Sequence, residues 1–216
     1  KAPNRDIEKL KKCTDCIDNG GLVVFPTETV YGIACRAEKK SIERLDEVKQ
    51  RNIEKRYTLH IGSRDKLGDY VTRLSPPAKK LVQNAWPGPL TIVFEINEKD
   101  AATLKQIHGV QTFEILYKDG SIGIRCPDEP VAEKLLNLCK YPVVAPSANK
   151  ASQPAATDGK QAYEQIGDLV DIVIDSGTCK YEKSSTVVKI SRCGLSVLRV
   201  GVFSERQIRK MHQISI

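Results

Sequence analysis

The chain has 216 residues, 40% hydrophobic and 28% charged, with a formal net charge of +7. That composition excludes a disordered polymer, allows one generous core or two small ones, and favours one compact unit over residues 1–216. With no run of about 18 apolar residues there is no membrane-spanning helix to expect. In chain order, Ile7, Leu10 and Ile17 predict a first helix ending at Asn19-Gly20-Gly21, followed by a buried strand from Leu22 to Phe25 closed by Pro26. A second helix is expected from an N-cap at Ser41, with Ile42, Leu45 and Val48 on one face. Ser75-Pro76 opens a third, which reaches Trp86 before the Pro87-Gly88-Pro89 turn.

Leu90 to Ile96 alternates as a half-buried strand does, whereas Lys105 to Gly120 is poorly patterned and predicts a loop or hairpin excursion. Further along come a strand at Ile122 to Arg125, a helix at Pro130 to Cys139 and a strand at Tyr141 to Ala145. Strands then follow at Leu169 to Ile174, Ser185 to Ile190 and Ser196 to Val200. Ser204-Glu205-Arg206-Gln207 matches a capping box and starts a last helix. The alternation, without internal repeat or linker, indicates one α/β (α+β) domain on a mixed sheet.

The charge is uneven: from Lys180 to Ile216 eight Lys/Arg stand against two acids, so most of the surplus lies at one end. Such a surface can meet nucleic acid or nucleotides, although a solvated cationic face is commoner. The seven cysteines are scattered and odd in number, with no secretory apolar region, which implies reduced thiols and a cytoplasmic setting. Cys13 and Cys16 form a C-x-x-C without a second pair, and the chain has three histidines, so neither metal nor redox chemistry is expected there.

Three polar segments stand where strand-like runs or a helix end: Thr27 to Tyr31, Lys49 to Arg51 and Ser147 to Asn149. Open sheets place ligands at such ends. Lys49 and Arg51 would point apart on a continuing helix, but a helix that stops at Lys49 or Gln50, with Asn52 as a stop residue, lets both grip one anion. Alone, two cations at a helix C-terminus are explained by the dipole; their polar neighbours shift the reading toward anion binding. Ser147 and Asn149 follow a strand and a proline, where short hydroxyl and amide groups can donate to phosphate oxygens, although a Ser/Asn turn there is common in its own right. Neither a Walker A nor a G-x-G-x-x-G occurs.

FPTETVYGIAC, the K-x-R of KQR, WPGPLTIVF, SIGIRCP, APSAN, SSTVV and LRVG occur in the order and approximate spacing of the YrdC/Sua5 family. The chain resembles its short, single-domain form from about Gly20 to Ser204. The resemblance implies a twisted mixed β-sheet flanked by helices with a deep cationic cavity. It also implies synthesis of threonylcarbamoyl-AMP and pyrophosphate from L-threonine, bicarbonate and ATP, with Mg2+ arriving on the ATP and no metal held by protein groups. That reaction is the first half of making N6-threonylcarbamoyladenosine at position 37 of ANN-decoding tRNAs, and a TsaD/Kae1-type transferase would take the product.

Carried over by the same resemblance, Lys49, Arg51, Ser147 and Asn149 are the ATP tetrad, with Lys49 and Arg51 neutralising charge as pyrophosphate leaves. Ser185 and Arg199 close over the nucleotide, and Thr27, Tyr31, His60, Thr91 and Arg125 line the threonine and carbamate side. Arg125 suits a bidentate carboxylate clamp, Thr27 or a backbone group would partner the amino-acid hydroxyl, and Glu28, where the family commonly has aspartate, either binds or caps. Asn52, Tyr57-Thr58 and Lys150 to Ser152 depart from the family pattern, and Gln106 to Gly120 resembles an insertion. Two other readings come with the family: carbamoyl-adenylate formation of the hydrogenase-maturation type, and an RNA-binding module without turnover. The basic tail would suit weak tRNA contact, against which Tyr181 and Phe203 are its only interleaved aromatics.

Overall fold

The computed structural model describes residues 3–50, 56–191 and 194–213. The first helix, α1 (Pro3–Asp18), ends ahead of Gly20, whose φ of +88° suits only a residue without a side chain. Strands β1 (Val23–Phe25) and β2 (Gly32–Arg36) follow, then α2 (Lys39–Lys49). Its N-cap is Glu38 and not Ser41: Ser41 lies inside the first turn, where its hydroxyl is spent on Gly20 O and on the Glu38 carboxylate. The C-terminus falls where the K-x-R reading needed it, with Gln50 left-handed at φ 48°.

Next come β3 (Thr58–His60), a 3-10 turn at Arg64–Asp69, and α3 (Pro76–Ala85), whose Ser75 cap accepts from Ala78 N. Strand β4 (Leu90–Glu95) leads into the main correction, because residues 105–120 are not a loop. They belong largely to α4 (Glu98–His108) and α5 (Val110–Leu116), divided at Gly109 with φ 77°. Leu104 and Leu116 are buried while Ile107 and Val110 are more than half exposed, so the apolar period is blurred. Asn97, which caps α4 from Asp100 N at 2.9 Å, was the signal in the sequence.

Strand β5 (Ser121–Arg125), α6 (Pro130–Leu138) and the two-residue β6 (Val143–Val144) come next. Helix α7 (Gly159–Ile166), capped by Asp158, lies in a stretch for which the sequence predicted no element. The chain closes with β7 (Ile172–Val173), β8 (Thr186–Ser191), β9 (Gly194–Arg199) and α8 (Glu205–Gln213). The reciprocal bonds between Ser204 and Gln207 are the expected capping box. Two predicted strands prove shorter: 141–145 contracts to β6, and 169–174 to β7 behind a 3-10 turn.

These strands form one nine-stranded mixed sheet in the order β7-β1-β2-β6-β3-β5-β4-β8-β9. In β1, Val23 and Phe25 pack toward α1 and α6, while Val24 faces the larger cluster that includes Leu45 and Ile166 of α2 and α7. Being buried on both faces, β1 reads as a continuous apolar run. The parallel β3–β5 and β4–β8 pairs, with antiparallel β4–β5 and β8–β9 between and beyond, bring five strand ends to one edge: the C-termini of β3, β5 and β9 and the N-termini of β4 and β8.

Candidate active site

At that edge the register makes a single row. His60 pairs with Arg125, Arg125 with Thr91, Thr91 with Val187, and Val187 with Arg199. Residues in register across neighbouring strands point to one face, so segments 139 positions apart in sequence converge. The row lines a cavity of about 220 Å³, whose other walls are Thr27, Val30 to Gly32, Arg56 to Thr58, Ala145 to Ser147 and Ser184–Ser185. Among the described residues its lining includes three arginines and no Asp or Glu. A larger hollow of about 670 Å³ between α2 and α5 carries, among the described residues, four carboxylates against one lysine, the wrong sign for an anionic ligand.

Arg125 is buried, and its Nη2 donates to Glu28 Oε2 (2.9 Å), Thr29 Oγ1 (2.7 Å) and Thr27 Oγ1 (3.4 Å). Glu28 is therefore neither a cap nor a free ligand but the buried counterion of the cavity arginine, with side-chain exposures of 2% and 6% for the pair. Among the described residues, Glu28 Oε1 and Arg125 Nε are buried without a hydrogen-bond partner. The Thr27 hydroxyl is consumed locally, donating to Val30 O at 2.6 Å and accepting from Val30 N, which folds the 27–30 segment on itself. Tyr31 is a lining residue whose hydroxyl is spent on the 176–177 turn, donating to Gly177 O (2.8 Å) and accepting from Ser176 N (3.0 Å). Burial, above all, pushes that phenol up to about 12.

His60 Nδ1 lies 3.1 Å from Thr58 O; a carbonyl only accepts, so Nδ1 carries the proton and Nε2 is left as an acceptor. Burial, reinforced by the Arg125 charge, lowers the imidazole to about 3. His60 is thus neutral at physiological pH and suited to orienting a ligand, not to donating a proton. A stability signature follows. Between pH 6.5 and 3 the unfolded chain binds a proton at this residue and the native one does not. Stability is therefore unaffected by His60 above about pH 7 and falls as pH drops below about 6.5, by at most ~1.4 kcal/mol per pH unit. Urea melts of wild type and His60→Gln across that window should show the acid-side slope reduced in the variant; identical slopes would contradict it.

On the other flank Arg199 Nη2 donates to Ser185 O (2.9 Å) and Oγ (3.2 Å), and Ser185 Oγ is 3.0 Å from Thr91 Oγ1. Burial and then the Arg125 charge lower the Arg199 guanidinium, the mark of two cations sharing one cavity. The two segments are held together by Gly201, where a Cβ would lie 2.1 Å from Ser184 O. The Gly201 N–H donates to Thr186 Oγ1, which itself donates to Phe203 O.

Lys49 stands behind the cavity wall. From the end of α2 its Nζ donates to Ser147 O (2.7 Å), Asn149 O (2.5 Å) and Asn149 Oδ1 (2.9 Å). Asn149 Nδ2 then donates to Lys150 O and Gln153 O, and Ser147 Oγ lies 2.6 Å from Asn149 Oδ1. Three members of the sequence tetrad are thus one buried clasp that shapes the 147–153 loop, with Ser147 on the cavity side. The fourth, Arg51, lies outside the described residues, as does Asn52. Sequence reasoning missed Arg56, which reaches the cavity because the β3–β5 register puts residue 56 beside residue 121; only the pairing of distant strands reveals that.

Comparison with known proteins identifies the family. A model of the Sua5, YciO and YrdC proteins, described as telomere recombination, matches residues 15–201. The chain is 29% identical over 204 residues to a Pyrococcus abyssi protein named threonylcarbamoyl-AMP synthase, covering 94% of this chain and 57% of that one. It is 32% identical over 205 residues to a putative threonylcarbamoyl-AMP synthase of Methanocaldococcus jannaschii, covering 94% and 89%. The crystal structure of Pyrococcus abyssi Sua5 complexed with L-threonine superposes with a TM-score of 0.81 at 29% identity, over 95% of this chain and 57% of that one. The chain therefore spans little more than half the length of the Pyrococcus relative and most of the Methanocaldococcus one.

Proposed function

The chain belongs to the Sua5/YciO/YrdC family, and from that membership we propose that it is a threonylcarbamoyl-AMP synthase, using L-threonine, bicarbonate and ATP. The observation that carries the reading is the row of His60, Arg125, Thr91 and Arg199 around a cavity lined, among the described residues, by arginines and no carboxylate. The threonine amine adds to bicarbonate with loss of water to give a carbamate. A carbamate oxygen then attacks the α-phosphorus of ATP, and the bond to the β-phosphate oxygen breaks, releasing pyrophosphate.

Every reactant in that sequence is anionic or becomes so, and Arg125 and Arg199 supply fixed positive charge in a partly dry site. Arg125, whose Nη2 is taken by Glu28, Thr27 and Thr29, has Nη1 left to meet a carboxylate or carbamate. The neutral His60 offers Nε2 as an acceptor for an amine or hydroxyl. The Lys49–Asn149 clasp fixes the 147–149 turn at the cavity wall where the phosphate chain would pass, with the Ser147 hydroxyl proton spent on Asn149 Oδ1. Positioning supplies much of the rate, because carbamate formation demands little protein chemistry.

Mg2+ enters with ATP. It would be carried on phosphate oxygens and water; among the described residues no group of three or more His, Cys, Asp or Glu is placed to hold an ion. A TsaD/Kae1-type transferase would consume the adenylate in tRNA modification in the cytoplasm. No helix among the described residues is long and apolar enough to cross a membrane. Weak tRNA contact is the minor expectation, because the basic tail is partly spent: Arg199 turns into the cavity, Lys189 pairs with Glu95 and Arg209 with Glu205.

Pyrophosphate release tests the reading, with threonine, bicarbonate or ATP omitted in turn and with carbamoyl phosphate in place of threonine and bicarbonate. Release that requires all three substrates is the expected result. Release driven by carbamoyl phosphate would replace it with the hydrogenase-maturation chemistry, and salt-sensitive tRNA binding without turnover would replace it with an RNA-binding role.

A further inference from the structure

Among the described residues three guanidiniums line the cavity, and their counterions differ. Arg125 has a buried carboxylate, Glu28, that no ligand can displace cheaply. Arg199 is held by neutral oxygens of Ser185. Arg56, at the rim, donates from Nη1 to Ser121 Oγ (2.5 Å) and from Nη2 to Asp119 Oδ2 (2.5 Å), with side-chain exposures of 48% for Arg56 and 70% for Asp119. Asp119 and Gly120 are the central residues of a tight turn, with φ 50° and 63°, closed by the bridge between Lys118 and Ser121. Positive φ at both positions is the signature of a type I′ hairpin tip, which holds the carboxylate at a fixed place beside the guanidinium.

We propose that Arg56 is a further nucleotide-binding residue, taking the phosphate chain of ATP, with Asp119 as the resident counterion that the phosphate displaces. This rests on the synthase reading and adds to it a cation that the K-x-R and S-x-N motifs do not include. An exposed ion pair contributes little to stability, so giving up Asp119 costs little, whereas a phosphate offers the guanidinium two parallel acceptors. The Ser121 hydroxyl stays on Nη1 during the exchange and keeps the fork aimed at the cavity. The buried Glu28–Arg125 pair cannot exchange in this way, so the two carboxylate-paired arginines divide the work: Arg125 is permanent, Arg56 is released on demand.

The test is calorimetric titration of ATP with Mg2+, and separately of L-threonine, into wild type, Arg56→Gln and Asp119→Asn, with thermal melts of each. Arg56→Gln should weaken ATP binding about tenfold or more. Asp119→Asn should strengthen it by about two- to fivefold, since it removes only the competing carboxylate. Threonine binding should not change in either. A pair that merely braces the turn would make both variants bind ATP more weakly or leave both as wild type, and either pattern overturns the assignment. If Arg56→Gln does not fold, Arg56→Lys replaces it: it keeps the charge, loses the fork, and should still weaken ATP binding while Asp119→Asn strengthens it. Wild type that binds ATP with an unaltered Arg56→Gln sinks the role of Arg56 alone; wild type that binds neither ATP nor threonine sinks the synthase reading with it.

Discussion

Replacing Arg125 with methionine should cut threonine-dependent pyrophosphate release by about 100-fold or more and destabilise the domain by about 3–5 kcal/mol. Both losses have one origin. Glu28 is buried, its Oε1 already has no partner among the described residues, and its Oε2 relies on the Arg125 guanidinium. Taking the cation away leaves a carboxylate in a dry site, which costs far more than an exposed pair would. The double variant Glu28→Gln/Arg125→Met separates the two effects. Its stability should recover toward wild type, because neither charge remains, while its activity stays lost. If the single variant is stable and the double no better, Glu28 is not held by Arg125 in solution.

Lys49→Met should lower kcat/KM for ATP by about 100-fold with a smaller cost in stability, about 1–3 kcal/mol, as buried acceptors on the 147–149 loop lose their donor. Lys49 acts here as a positioning residue, and Asn149→Ala should reproduce much of the loss, because both belong to one clasp. The double variant should fall well short of the sum of the two singles. Steady-state rates and chemical melts of the three proteins measure this, and strict additivity would mean that Lys49 touches ATP independently of the loop.

How much of this was legible in the sequence depends on the range of the interaction. Caps at Ser75 and Ser204 and the end of α2 at Lys49 were readable because each is settled within four or five residues. Helices α4 and α5 were missed because exposed Ile107 and Val110 blur the apolar period, although Asn97 and Gly109 mark the boundaries. Strand β2 hid for the opposite reason: its first four residues are buried, so no polar alternation announces it.

The site divides in the same way. Motif likeness brought Arg125, Thr91, His60, Ser185 and Arg199 into consideration, but nothing local says that His60, Arg125, Thr91 and Arg199 share one register row with Val187, or that Ser185 lies beside it. Nor does composition say which polar groups are already spent. The hydroxyls of Thr27 and Tyr31 close local and loop contacts, and Lys49 holds a loop. Glu28 acquires its role only from a residue 97 positions away. Arg56 was invisible for the same reason, since its place at the cavity comes from the pairing of β3 with β5.

The most direct measurement is mass spectrometry of the nucleotide products formed from ATP, L-threonine and 13C-bicarbonate by the purified chain. A threonylcarbamoyl-AMP that carries the label, with stoichiometric pyrophosphate, and that disappears in Arg125→Met, is the result predicted here. Conversion of ATP to AMP and pyrophosphate with no labelled adenylate, or a labelled adenylate that survives the loss of Arg125, would contradict it.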